Sequence, residues 1–295
     1  MAASDDLRFL DGASVEALKD GGDFADLFPE KQKAWEAERE AFRQVLVGHG
    51  VEVLRPRLLT DAEKAAAADN GYANFFVRDP FFTVGPNVIE GSLRFLHRRR
   101  EVLPVRPIIA QQVLPSNAAY VAVPMPEIAA KDDKTLGAGP FLEGGDVLVL
   151  GRHVFVGTSG LASNAQGVRF LSKLLTPQGY TVERVRLRDD ILHLDCALGL
   201  IRDGLMVACR DAFLDGIPNL LKHWERIDVS LEEAKALATN GLPLSDRVYV
   251  TDPAFATIGN ALRRHGIAVE YVKYDISRSF GGSFRCSTQP LLRRN

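Results

Sequence analysis

Short apolar runs broken by turn residues recur along this chain. FFTVGPNVIEG at 81–91, VLVLGRHVFVG at 147–157 and LGLIRDGLMVA at 198–208 each join two such runs through Gly85-Pro86-Asn87, Gly151-Arg152-His153 or Arg202-Asp203-Gly204. That order predicts three β-hairpins. Their strands are apolar almost throughout, so both faces of each are expected to be covered. Helical patterns come next, SLRFLHRRREVL at 92–103 and SNAQGVRFLSKLL at 163–175, the second with Ser163 or Asn164 as its cap. Strand-like VRPIIA at 105–110 and YTVERVRL at 180–187 then follow. Near the amino end PEKQKAWEAEREAFRQVLVGHG leads into VEVLRP, and near the carboxyl end PAFATIGNALRRHG leads into IAVEYVKY, both in the order helix, glycine, strand. The pattern predicts a mixed α/β fold of repeated hairpin, helix and strand units. No shift in composition marks an internal boundary, so residues 1–295 are expected to form a single domain.

Composition changes this picture little. The chain is 46% hydrophobic and 25% charged, with a formal net charge of -2, so nothing points to a nucleic-acid partner. MAASDDLRFLDG at the start lacks a basic and an apolar leader region, and no apolar run approaches the roughly 18 residues that span a bilayer. No membrane association and a cytoplasmic location are expected, and assembly into a homo-oligomer stays open. Cys196, Cys209 and Cys286 are far apart without a CxxC spacing, which argues against a disulfide framework or a zinc site.

Polar residues become informative where they lead into the hairpins. Asp79 in FVRDP, Glu143 and Asp146 in LEGGD, and His193 with Asp195 in LHLD each precede a first strand. Repeats arranged around a common axis would bring these acids to one mouth and make it anionic. Taken alone, Asp79 before proline also suits a plain turn, and His193 between two leucines also suits a satisfied core position. On a strand, residues two apart share a face, so His193 and Asp195 are expected side by side, with the acid raising the pKa of the imidazole. Cys196 and Cys209 read as small core residues. Cys286, in GGSFRCST, follows a glycine pair and adjoins Arg285, a setting that favours thiolate and close approach of a ligand; the alternative is an inert thiol in a closing strand. The run HRRRE at 97–101 reads as a solvated helix face or, through Arg98, as a guanidinium for a substrate carboxylate. EIAAKDDKTLGAGP at 127–140 reads as a loop, and the sequence leaves open whether it covers a pocket.

The ordered set FVRD, EGGD, HLD and GGSFRC resembles the guanidine-modifying superfamily of arginine deiminases, dimethylarginine dimethylaminohydrolases and glycine amidinotransferases, from about residue 72 to the carboxyl terminus. The resemblance implies the pentein fold, an α/β propeller of five ββαβ modules around a pseudo-fivefold axis. It implies Cys286 as nucleophile, His193 as general acid, Glu143 and Asp79 as carboxylates gripping a guanidinium, and Asp195 as an acid assisting His193. Asp79, Asp146, Arg98 and Arg285 are the candidate substrate-binding residues. No metal or organic cofactor is implied. The chain has no room for the helical insertion of arginine deiminases, and Leu161 and Ala162 stand where deiminases and dimethylarginine hydrolases carry an arginine for the substrate α-carboxylate. Amidinotransferases lack that arginine too, but they have Asp where Glu143 stands. The expected activity is hydrolysis of a guanidino compound through a covalent thiouronium, giving a ureido product and ammonia or an alkylamine. Amidino transfer to an amine is the alternative, and a non-enzymatic pentein binding protein is a further one.

Overall fold

Three of the hairpins turn at glycines with positive φ, Gly85, Gly151 and Gly204. A computed structural model describes residues 23–67, 71–126 and 138–293. The leader-region reading at the amino end and the greater part of the candidate covering loop, 127–137, lie outside these residues. Strands β1 (Phe81–Val84) and β2 (Asn87–Glu90) pair antiparallel, as do β4 (Val147–Leu150) and β5 (His153–Thr158). Gly85 and Gly151, at φ of 54° and 55°, supply the left-handed first position of these two-residue loops. β7 (Leu198–Arg202) and β8 (Leu205–Ala208) form the third predicted hairpin. A fourth, β10 (Leu242–Ser245) with β11 (Val248–Thr251), was not marked by the apolar pattern.

A third strand then joins each hairpin in parallel: β3 (Ala119–Ala122), β6 (Thr181–Arg186), β9 (Glu225–Asp228) and β12 (Ala268–Tyr271). Among the described residues this gives four three-stranded sheets in the orders β1-β2-β3, β4-β5-β6, β7-β8-β9 and β10-β11-β12. A parallel partner needs a crossover. Helix α2 (Ala165–Leu175) supplies it in the second sheet and α3 (Ala256–Arg264) in the fourth; α1 (Pro29–Gly48) precedes the first sheet. Asn164 is the residue that caps α2, its side chain accepting from the Gln166 and Gly167 amides.

Three expected elements take other forms. SLRFLHRRREVL folds as separate 3-10 turns at Leu96–Arg98 and Leu103–Val105, because Pro104 directly after the run sits in the second turn and Arg98 is drawn inward to acids. VRPIIA is helical: Pro107 lies in the first turn of the segment Arg106–Ile108, where its missing N–H costs nothing, whereas a ladder would need that donor. VEVLRP forms no strand.

Central strands β2 and β8 are buried along their whole length. One apolar cluster runs from Phe155 of the second sheet through Leu198 and Met206 to Tyr249 of the fourth, and another joins Phe82 and Ile89 to Val154 and Leu171. Phe42 and Leu46 of α1 pack with Val250, Tyr274 and Phe284. The Phe284 ring stacks on Tyr274 with centroids 4.3 Å apart, which anchors the loop carrying Cys286. No helix among the described residues is long and apolar enough to cross a membrane.

Candidate functional site

The polar residues that matter stand just ahead of the first strands. Asp79 lies two residues before β1, Glu143 caps and Asp146 ends a single 3-10 turn (Gly144–Asp146) before β4, and His193 caps a second such turn (Leu194–Cys196), which contains Asp195, before β7. The glycines of EGGD are sterically required. A Cβ on Gly145 would sit 2.6 Å from His193 Nδ1 and 2.7 Å from Asp79 Oδ1, and one on Gly144 would strike the Arg78 carbonyl.

Three modules meet at His193. Its Nε2 is 2.8 Å from Glu143 Oε2, and its Nδ1 is 3.8 Å from Asp79 Oδ1. Asp79 Oδ1 also accepts the Gly145 N–H at 2.8 Å, while its Oδ2 accepts Arg98 Nη2 at 2.7 Å. Burial works to discharge His193, but the charge of Asp79, the hydrogen bond to Glu143 and the charge of Asp146 outweigh it and hold the imidazole protonated up to about 10. For Asp79 burial acts upward, yet His193 and Arg98 prevail and keep the carboxyl near 2. Asp146 is turned to the backbone: it accepts the Leu194 N–H at 3.0 Å and the Ser163 N–H at 3.1 Å. Burial pushes its carboxyl up to about 7, and its part is to hold the His193 segment in place.

Asp195 does not stand beside His193 as strand geometry predicted. Residues 194–196 form a 3-10 turn, so positions two apart lose their common face, and Asp195 Oδ2 pairs with Arg285 Nη1 at 2.5 Å. The same oxygen lies 3.9 Å from Cys286 Sγ. Burial pushes the thiol up, with Asp195 and Asp79 adding to the shift, so Arg285 does not make it a thiolate. That guanidinium is engaged by Asp195 and by the Val147 carbonyl at 2.9 Å. Cys209 is a core thiol as expected; Cys196 is buried too, but its Sγ lies 3.7 Å from Asp195 Oδ1.

Arg98 is neither solvated nor turned to a free carboxylate. It is buried, bonded to Asp79, forked onto Glu101 at 2.9 Å through both Nε and Nη2, and 3.4 Å from Glu143 through Nη1. Asp79, Glu143 and His193 offer ligand atoms within 4.8 Å of one another, close enough for a metal ion. Arg98, permanently charged and bonded to both acids, opposes a second compact charge there. A flat cation with several N–H groups suits these acceptors better. A cavity of about 260 Å³, lined by Leu192, Cys196, Lys235, Leu237 and Gly281 among others, lies beside the Asp195 turn. A larger groove of about 750 Å³ runs between α1 and the end of β12 and is lined by none of these polar groups.

Sequence reasoning passed over Glu101, Arg78, Thr239 and Asn240. The last two precede the fourth hairpin, and the TNG ahead of LPLSDRVYV was their signal.

The family model for arginine deiminase matches residues 69–228. Over 155 residues the chain is 31% identical to the uncharacterized protein YkgA of Bacillus subtilis (strain 168); the alignment takes in 52% of each chain, so it spans about half the length of that relative. It is 25% identical over 284 residues to inosamine-phosphate amidinotransferase 1 of Streptomyces glaucescens, across 88% of this chain and 81% of that protein. Among solved structures, the amidinotransferase SxtG of Microseira wollei aligns with a TM-score of 0.77 over 90% of this chain and 85% of that one, at 20% identity, a likeness of fold.

Proposed function

Because the chain belongs to the arginine deiminase family, we propose that it is a cysteine-dependent hydrolase of a guanidino compound, arginine or an N-substituted relative, giving a ureido product and ammonia or an alkylamine. We read residues 1–295 as one catalytic domain and its modules as a pentein propeller. The four sheets and the packing of α1 against the Phe284 loop support that reading. The observation that carries the functional reading is the meeting of His193 with Glu143 and Asp79, side chains from three modules, next to the pairing of Cys286 with Asp195.

Charge explains the sequence of steps. Before substrate binds, the thiol is neutral and His193 carries a proton. A guanidinium gripped by Asp79 and Glu143 brings a positive charge to a site whose acids hold the thiol pKa up, and so favours thiolate when it is needed. The thiol proton leaves toward Asp195 Oδ2, and Cys286 Sγ adds to the central guanidinium carbon. His193 gives its proton to the departing nitrogen, the C–N bond breaks, and a thiouronium remains on Cys286. Neutral His193 then takes a proton from water, hydroxide adds to the same carbon, and the C–S bond breaks as the hydroxyl proton is lost to solvent; the ureido product leaves and the thiolate takes back the proton held by Asp195.

A second reading, amidino transfer, shares the first half and replaces water with an amine. The relative of that name across 88% of this chain supports it, as does Leu161-Ala162, which supplies no cation for an α-carboxylate. Incubation with guanidino compounds, with and without amine acceptors, separates the readings by ureido product and ammonia against a new guanidino product. Loss of turnover in Cys286→Ala, and stoichiometric labelling of Cys286 by a haloacetamidine that excess guanidino ligand suppresses, are expected. Turnover that survives in Cys286→Ala would remove the covalent mechanism, and absence of both turnover and selective labelling would leave a binding protein.

A further inference from the structure

The fourth hairpin holds the same place in its sheet as the three whose lead-ins bring acids and an imidazole, yet its lead-in contributes neither. Two residues before β10 stands Asn240, preceded by Thr239, and both are fully buried at 0% exposure. Asn240 Oδ1 accepts the Cys286 N–H at 3.2 Å, and the Asn240 carbonyl accepts the Arg285 N–H at 3.1 Å. Thr239 Oγ1 donates to the Asp195 carbonyl at 2.9 Å, and Asn240 Nδ2 reaches the same oxygen at 3.5 Å. One dipeptide thus holds both the peptide of the thiol and the peptide of the acid that faces it.

The backbone that presents this dipeptide is itself unusual. Leu237, buried and three residues earlier, has a φ of 70°, a positive value for a non-glycine residue, and its carbonyl accepts the Asn240 N–H at 3.0 Å. Such a conformation is costly and persists only where its surroundings determine it. On the other side of the thiol, the Arg78 N–H donates to the Cys286 carbonyl at 3.1 Å. The peptide groups before and after the Cys286 side chain are both tied.

We infer that Asn240 is a positioning residue for Cys286, whose amide fixes the direction in which the sulfur leaves the backbone while keeping a further anion away from it. The inference rests on Cys286 being the nucleophile. Aspartate would offer the same acceptor to the Cys286 N–H, lose the donor toward Asp195, and place a negative charge next to a thiol that already faces one. Alanine would leave the buried Cys286 N–H unpaired.

Alkylation of Cys286 by iodoacetamide across a pH series, read with turnover and thermal unfolding, tests this. In Asn240→Asp the midpoint of the alkylation profile is expected to rise by about one unit, which makes alkylation at neutral pH about tenfold slower. Turnover should fall in parallel through kcat, with KM little changed. Asn240→Ser, whose shorter hydroxyl falls short of the Cys286 N–H without adding charge, is expected to retain the wild-type midpoint but lose at least fivefold in kcat, and it decides the matter if the aspartate variant does not fold: a kcat within twofold of wild type together with an unmoved KM overturns the inference. An aspartate variant that folds, with midpoint and kcat both unchanged, overturns it as well. Failure of the underlying reading looks different, since wild-type label spread over Cys196 and Cys209, or turnover in Cys286→Ala, would sink the nucleophile itself.

Discussion

His193 decides the charge of the whole cluster. Its imidazole titrates near 6.5 when free and near 10 in the fold. The folded chain therefore binds more protons between those values, and stability falls as pH rises through them. The contribution is present in full below about pH 6.5 and gone above about pH 10. Thermal midpoints measured from pH 7 to pH 10 should drop more steeply for the wild type than for His193→Gln, and equal slopes would contradict a protonated buried imidazole. Asp79 acts in the opposite sense: its carboxyl lies near 2 in the fold against 3.8 when free, so what it contributes is lost as pH falls through that window. If His193 is the general acid, its loss should slow turnover by roughly 10² to 10⁴.

The turns ahead of the strands are as decisive as the strands. Gly145→Ala would drive a methyl group toward the imidazole and the Asp79 carboxylate, both held by several partners. A loss of about 1–3 kcal/mol is expected from the crowding, with a fall in turnover of at least tenfold if His193 is the proposed general acid and Asp79 grips the substrate. Urea denaturation and kcat measure the two effects, and a variant that kept full activity would show the glycine to be conformational only. Much at this scale was legible beforehand. Three hairpins announced themselves because glycine-bearing turns interrupt apolar runs, and Asp79, Glu143 and His193 because a charge at the head of an apolar strand is conspicuous. The relation of His193 to Asp195 was not legible, since two residues of 3-10 turn reverse the alternation that a strand would give. Nor was Asn240, an uncharged side chain whose importance lies in what it touches. The stretch from 92 to 103 misled for a further reason: its helical spacing includes Arg98, which bonds to buried acids, and Pro104 follows it directly.

Across the molecule, the first module and the loop near the carboxyl end are tied by one buried cation. Arg78 Nε donates to the Arg285 carbonyl at 3.0 Å, Nη1 to Gln289 Oε1 at 3.0 Å and Nη2 to Thr288 Oγ1 at 3.4 Å. Burial lowers the pKa of this guanidinium, yet no carboxylate is among these partners, so the folded state bears part of that cost for the sake of the connection. Arg78→Met, of similar length, should lose about 2 kcal/mol by urea denaturation, the value of hydrogen bonds to a charged donor less the relief of desolvation. It should also lower the rate of Cys286 alkylation, and an unchanged rate would mean that the loop holds its shape without the tie.

Asp79, Glu143, Asp146, His193, Asp195 and Asn240 each precede a first strand and lie outside the ladders. The scaffold and the chemistry are therefore separable inheritances. Descendants could exchange one lead-in to refuse an old substrate, or shed the whole reactive set and keep a hollow that only holds a cation, while the sheets beneath continued to pair as before.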